Sequence, residues 1–147
     1  MTGLDPTTMS GLELLRTAFD NAGPPSGIGK LLGMAVRAVD EGTVSFAVTT
    51  SPDFANPLGS VHGGICATLL DSAMGCAVHT TLPAGVGYST LEIKVNYIRS
   101  VPIDAGELVA IGTVIHRGRT TATAEGKVVD SAGRLIAHGS TTCIILG

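Results

Sequence analysis

The sequence predicts an α+β domain in which an antiparallel β-sheet curls around one long helix. Two observations carry that expectation. Residues 63–82 form the longest helical pattern in the chain and are apolar nearly all round, through Ile65, Ala67, Leu69, Leu70, Ala73, Met74, Ala77 and Val78; such a pattern marks a buried helix. Strand-like runs joined by turn signals flank it on both sides, and consecutive hairpins build an antiparallel sheet.

The elements follow in order. After a loose start over residues 1–9, Ser10 and Glu13 make an S-x-x-E capping box. Leu12, Leu15 and Phe19 then mark one face of a helix over about residues 10–22, stopped by Gly23-Pro24-Pro25. Two β-like runs, 31–39 and 43–50, are joined by Asp40-Glu41-Gly42 as a hairpin. In the second, Val44, Phe46 and Val48 alternate with Thr43, Ser45 and Ala47, as a strand with one covered face requires. Residues 51–62 hold two prolines and a glycine and read as a loop. Past the long helix, stopped by Pro83-Ala84-Gly85, come four strand-like runs: 88–98, 107–117, 119–130 and 134–145. Gly118 links the middle pair tightly, and Asp130-Ser131-Ala132-Gly133 turns the last hairpin. The order is α-β-β-α-β-β-β-β, and residues 1–147 form one domain without linker or repeat.

Composition narrows the function classes. Apolar residues make up 44% of the chain and charged ones only 14%, with a mean hydropathy of +0.40. So few solvating groups imply surface covered in an oligomer. A net charge of −3, no Trp and 3% aromatic residues exclude nucleic acid as the main partner, because phosphate contacts need a basic face and base stacking needs aromatic platforms. Three cysteines without C-x-x-C spacing suit a reducing compartment. The first residues lack an apolar signal segment, and the apolar stretch 63–78 is too short for a membrane span and carries Asp71. A cytoplasmic protein is expected.

Asp71 is the residue that needs explaining. Aspartate is a poor helix-interior residue, and no basic residue of the helix can pair with it. Such a carboxylate is either bonded to distant donors or functional. His62-Gly63-Gly64 places two glycines where the helix begins. Helix N-termini carry unpaired N–H donors and about half a positive charge, a natural cradle for an oxyanion.

The whole segment reads Asn56-x-x-Gly59-x-x-His62-Gly63-Gly64-x(6)-Asp71. It resembles the N-x-x-G-x-x-H-G-G-x(6)-D pattern of the hotdog-fold acyl-CoA thioesterases, in particular the PaaI-like (phenylacetate-degradation) and 4-hydroxybenzoyl-CoA thioesterase group. Residues 88–99, YSTLEIKVNYIR, are similar to that family's long strand after the central helix, and the likeness runs from about residue 30 to 145. The resemblance implies hydrolysis of acyl-CoA to acid and CoA without a cofactor or metal. It implies Asp71 as nucleophile or general base, the Gly63 N–H as donor to the thioester oxygen, and the Asn56 amide as a group placing carbonyl or water. His62 is expected chiefly to hold the loop before the helix. Thr90, or else Ser89, supplies a hydroxyl that holds the water. Gly64 lies at the substrate, and Arg99, Arg117 and Arg119 are the candidates for the CoA phosphates. In some relatives a hydroxyl stands one turn past the acid. Here that position is Gly75, which argues against an aromatic substrate and leaves room for a larger acyl group in a tunnel near Met74 and Cys76. The family's sites lie between subunits, so a homodimer or homotetramer is expected. The rival readings are a hotdog protein that binds acyl-CoA without cleaving it, a dehydratase (whose G-H-F-P-like loop is absent), and a purely structural oligomer.

Overall fold

The computed structural model describes residues 3–20 and 27–147. Helix α1 (Gly11–Asp20) opens on the expected capping box: the Glu13 N–H donates to Ser10 Oγ and the Ser10 N–H donates to Glu13 Oε2, each at 3.2 Å. Its expected stop at Gly23-Pro24-Pro25 lies outside the described residues.

The run 31–39 is not one strand. Its beginning belongs to a short helix α2 (Ile28–Leu32), and strand β1 starts at Ala35 and ends at Asp40. Gly33 sits in the left-handed region, with φ 69°. Its N–H donates to the Lys30 carbonyl and that of Met34 to the Gly29 carbonyl. That pair of bonds is a Schellman ending, which only a residue tolerant of positive φ closes cheaply. Ile28, Leu31 and Leu32 follow a helical spacing that an apolar run disguises as β.

The remaining strands are β2 (Thr43–Thr49), β3 (Gly87–Tyr97), β4 (Glu107–Arg117), β5 (Thr121–Val129) and β6 (Leu135–Leu146). A 3-10 turn at Pro52–Phe54 precedes helix α3 (Gly63–His79), which ends three residues before the sequence suggested. There the Thr80 hydroxyl donates to the Ala77 carbonyl at 2.6 Å and accepts from the Gly42 N–H at 2.8 Å, tying the β1–β2 turn to the helix end. In β2, Ser45 and Ala47 are buried along with Val44, Phe46 and Val48, so both faces of this strand are covered and not one.

All six strands form one antiparallel sheet in the order β1-β2-β4-β5-β6-β3. The β1–β2, β4–β5 and β5–β6 connections are hairpins as expected. Strand β3 departs from that pattern: α3 carries the chain across the sheet, so β3 pairs with β6 at the far edge, Gly87 opposite Leu146 and Tyr97 opposite Ala137. This crossing sets the edge strand beside the outer side of α3.

Helix α3 packs into the concave face through Cys66, Leu69, Leu70, Ala73, Met74, Ala77 and Val78. The approach is closest at Gly112 of β4, where a Cβ would stand 2.4 Å from the Ala73 carbonyl group. Gly112→Val is therefore expected to cost roughly 1–3 kcal/mol of stability, typical of overpacking, since backbone on both sides cannot yield. Chemical denaturation checks this, and an unchanged midpoint would contradict the close approach. The helix is not enclosed all round as its sequence suggested. One stripe through Gly64, Thr68 and Asp71 is left outside the sheet.

Candidate active site

Asp71 lies on that open stripe and is exposed in the single chain, not buried as the apolar helix suggested. Six strands curl around α3 without closing over it, and the uncovered turn carries the acid. Its Oδ1 accepts a 2.9 Å hydrogen bond from Thr90 Oγ1 on β3. Of the two candidate hydroxyls, alternation along the strand turns Thr90 toward the helix and Ser89 to solvent. Among the described residues Asp71 has no cationic partner.

The start of α3 is built by the preceding loop. Asn56 Oδ1 accepts from the Leu58 N–H at 2.9 Å and the Ser60 N–H at 3.2 Å, and its amide donates to Ser60 Oγ at 3.0 Å. Gly59, at φ 89°, lets the loop turn within those bonds. His62 then caps the helix, Nδ1 accepting the Gly64 N–H at 2.8 Å. With Nδ1 accepting from the Gly64 N–H, the side chain closes the turn that leads into the helix. The Ile65 N–H is spent on the His62 carbonyl. The Gly63 N–H has no acceptor among the described residues, so the first residue of the helix presents a free donor, beside the Gly64 N–H that His62 occupies.

Sequence reasoning missed Tyr97 as part of this start. Its hydroxyl donates to the Gly63 carbonyl at 2.6 Å, and a Cβ on Gly63 would meet the Tyr97 ring at 3.1–3.2 Å. The peptide between Gly63 and Gly64 is thus gripped at both ends, by Tyr97 and by His62. Burial raises the pKa of Tyr97, and the buried Cys66 thiol adds to this, so the phenol keeps the proton it donates. The chain has only two tyrosines, and both lie on β3 against a glycine of α3: Tyr97 on Gly63 and Tyr88 on Gly75. The room expected beside Gly75 is accordingly filled by the Tyr88 phenol.

A groove of about 300 Å³ runs past this start, lined by Asn56, His62, Gly63, Cys66, Tyr97 and Arg99. It adjoins a second of about 450 Å³ reaching Arg134, which sequence reasoning also passed over; Arg99 lines both. The Arg134 Nε donates to Asp130 Oδ2 at 2.8 Å. Arg117 and Arg119 flank the β4–β5 turn at the end of the sheet where β3 begins, whereas Arg99 follows its other end. The three arginines do not form one patch within a chain.

The thiols are unsuited to nucleophilic work. Burial pushes Cys66 up to about 11, and burial with the nearby Asp71 charge pushes Cys76 up to about 12, so both stay protonated near neutrality. Among the described residues no group of three or more His, Cys, Asp or Glu could hold a metal ion, and no helix is long and apolar enough to cross a membrane.

One distance constrains the chemistry. Gly63 and Asp71 are eight residues apart on one helix, about 12 Å along its axis at 1.5 Å per residue. The free donor and the carboxylate of one chain therefore cannot reach the same carbonyl group.

Known proteins share this fold. The Escherichia coli PaaI protein of the phenylacetic acid degradation operon superposes with a TM-score of 0.80 at 21% identity, over 96% of each chain, a likeness that shows the hotdog fold. A Halobacterium salinarum protein named as an esterase is 33% identical over 90% of this chain and 85% of its own length. Acyl-coenzyme A thioesterase 13 of mouse is 33% identical over 59% of this chain and 61% of its own length. Residues 58–137, from the loop before α3 into β6, match the Thioesterase superfamily. With its wrapped helix and six-stranded sheet, the chain belongs to that superfamily.

Proposed function

We propose that the protein hydrolyses acyl-CoA thioesters at a site shared by two copies of the chain, Asp71 of one facing Gly63 of the other. The observation that carries this reading is the Asp71 carboxylate, oriented by Thr90, without a cationic partner among the described residues and presented on an open face. A carboxylate so placed can attack a thioester carbon or take a proton from water that does, and a thiolate is a good leaving group. The Gly63 N–H, left over when its neighbours are spent, is the donor for the oxygen as it gains charge. In this reading Thr90 fixes the carboxylate and holds the attacking water. Asn56, with one amide hydrogen beyond its bond to Ser60, borders the carbonyl. His62 and Tyr97 lock the helix start, and Gly64 keeps the approach clear.

The second copy is required by the 12 Å separation and favoured by the surface. Leu91, Ile93, Tyr97 and Ile98 are all exposed on β3 or just beyond it, Leu91 at 60%. An apolar, unpaired edge strand is a template for pairing with another chain. A two-fold axis beside β3 would bring each Gly63 toward the opposite Asp71. CoA would leave along the grooves past Arg99 toward Arg134, with Arg117 and Arg119 available from the opposite end of the sheet in the partner copy.

Thiol release tests the reading. The protein is given the same acyl group on CoA and on N-acetylcysteamine, which keeps the thioester but lacks the nucleotide. Hydrolysis of acyl-CoA is expected, with kcat/KM about tenfold or more above that for the truncated thioester, because remote binding energy is used at the reacting centre. A folded protein that releases no thiol from any acyl-CoA would overturn it, and equal rates on both thioesters would remove CoA as the carrier.

A further inference from the structure

Tyr88 is a large polar side chain close to Asp71 that has no part in the proposed chemistry. It lies two residues before Thr90 on β3, hence on the same strand face, about 6.6 Å back along the strand. Gly75 lies four residues past Asp71 on α3, about 6 Å further along the helix. The two steps match: Thr90 meets Asp71, and Tyr88 meets Gly75. A Cβ at Gly75 would stand 2.7 Å from the Tyr88 hydroxyl oxygen and 2.9–3.1 Å from ring carbons. The phenol thus occupies the volume that a side chain at residue 75 would fill, one turn beyond the carboxylate.

Beyond the phenol, near the end of α3, lies a half-open cleft. The His79 ring packs against Tyr88, centroids 5.5 Å apart and tilted by 56°. On its other side His79 lines a pocket of about 260 Å³, mainly apolar, together with Pro6, Met9, Leu14 and Val86. The N-terminal segment roofs this pocket, held by the Gly85 N–H donating to the Pro6 carbonyl at 2.7 Å and the Gly11 N–H to the Leu82 carbonyl at 3.0 Å. Tyr88 and His79 stand between it and Asp71. The phenol is neutral, its pKa raised by burial and by Cys76 and Asp71 beside it, so it adds no charge to a wall that an acyl group would meet.

We infer that Tyr88 is the specificity-determining residue of the site, a plug on Gly75 that ends the acyl pocket one helical turn past Asp71 and confines the substrate to short acyl groups. This rests on the thioesterase reading above and adds to it the substrate class and the residue that sets it. The ring, rather than the hydroxyl, does the blocking. Removing it takes away one of the two rings, Tyr88 and His79, that separate Asp71 from the pocket beside the N-terminal segment, where further methylenes of a straight chain can be buried.

The test is kcat/KM across straight-chain acyl-CoAs from acetyl to palmitoyl for the wild type, Tyr88→Val and Tyr88→Phe. Valine keeps a β-forming residue on the strand. Should Tyr88→Val lose its cooperative thermal transition, Tyr88→Leu reads the same quantity with more packing retained. The wild type is expected to favour short chains and to fall by about tenfold or more once the chain exceeds the pocket. Tyr88→Val is expected to move the optimum to longer chains, and Tyr88→Phe to keep the wild-type cut-off. A wild type that already prefers long chains, or a folded, active Tyr88→Val with the wild-type profile, overturns the plug while leaving the thioesterase reading intact. Absence of hydrolysis by the wild type on every chain length overturns both.

Discussion

Asp71→Asn is expected to lower kcat for acyl-CoA hydrolysis by about 100-fold or more, the usual consequence of losing an acid–base group, and by more if the carboxylate is the nucleophile. The substitution is nearly isosteric. Asn Oδ1 can still accept the 2.9 Å hydrogen bond from Thr90, so the local geometry has no reason to change. Asp71 makes no ion pair among the described residues, and it is exposed in the chain, so the fold does not depend on its charge. The variant should therefore keep the wild-type thermal transition and KM while losing turnover. That separation distinguishes a catalytic carboxylate from a structural one, which would lose stability and activity together. Single-turnover and steady-state thiol release, with circular dichroism on the same samples, provide the measurement. Wild-type turnover in Asp71→Asn would move the chemistry elsewhere, and the protonated thiols of Cys66 and Cys76 offer no ready substitute.

The parts of this protein legible in its sequence are those fixed by neighbours along the chain. The Ser10–Glu13 box, the long helix, the turn at Gly118 and the Asp130–Gly133 hairpin are local features, and the structure has each of them. So was the pattern from Asn56 to Asp71, because a loop, a helix start and two turns of helix carry it. What sequence could not give depends on contacts across the fold. Nothing local says that β3 pairs with β6 and not with β4, yet that crossing sets Thr90 against Asp71 and leaves the apolar edge beside them. The exposure of Asp71 follows from the same open side of the sheet. Tyr97 and Tyr88 meet glycines 34 and 13 positions earlier, and only the registration of β3 along α3 makes those fits. The α2 segment failed for a different reason: its apolar residues suit either period, and the positive φ of Gly33 decided the outcome. Two glycines in the central helix matching two tyrosines on the next long strand is a signal that could have been found, since the chain has no other tyrosines.

The strongest consequence of the 12 Å gap between Gly63 and Asp71 is that two inactive variants should repair one another. Gly63→Pro removes the free N–H at a position where proline is well tolerated, the first residue of a helix. His62, at φ −60° and ψ 135°, already has the backbone that a following proline demands. The added ring crowds Tyr97, but Tyr97 is 52% exposed and can move aside. Losing an oxyanion donor is expected to cost about 10²–10³ in kcat, so Gly63→Pro and Asp71→Asn should each be nearly inactive alone. In a mixed dimer one site combines both substituted residues and the other combines both native ones. Equal amounts, dissociated and reassociated at random, place half the molecules in mixed dimers with one working site of two, restoring about a quarter of wild-type activity. Mass-tagged subunits report whether mixing has occurred. If tagged mixed dimers form and stay inactive, Gly63 and Asp71 do not serve one site between them. If the protein sediments only as a monomer yet hydrolyses acyl-CoA, the carboxylate works with a donor other than Gly63. Recovery of activity, by contrast, has no explanation within a single chain, because neither variant supplies by itself both the donor and the acid.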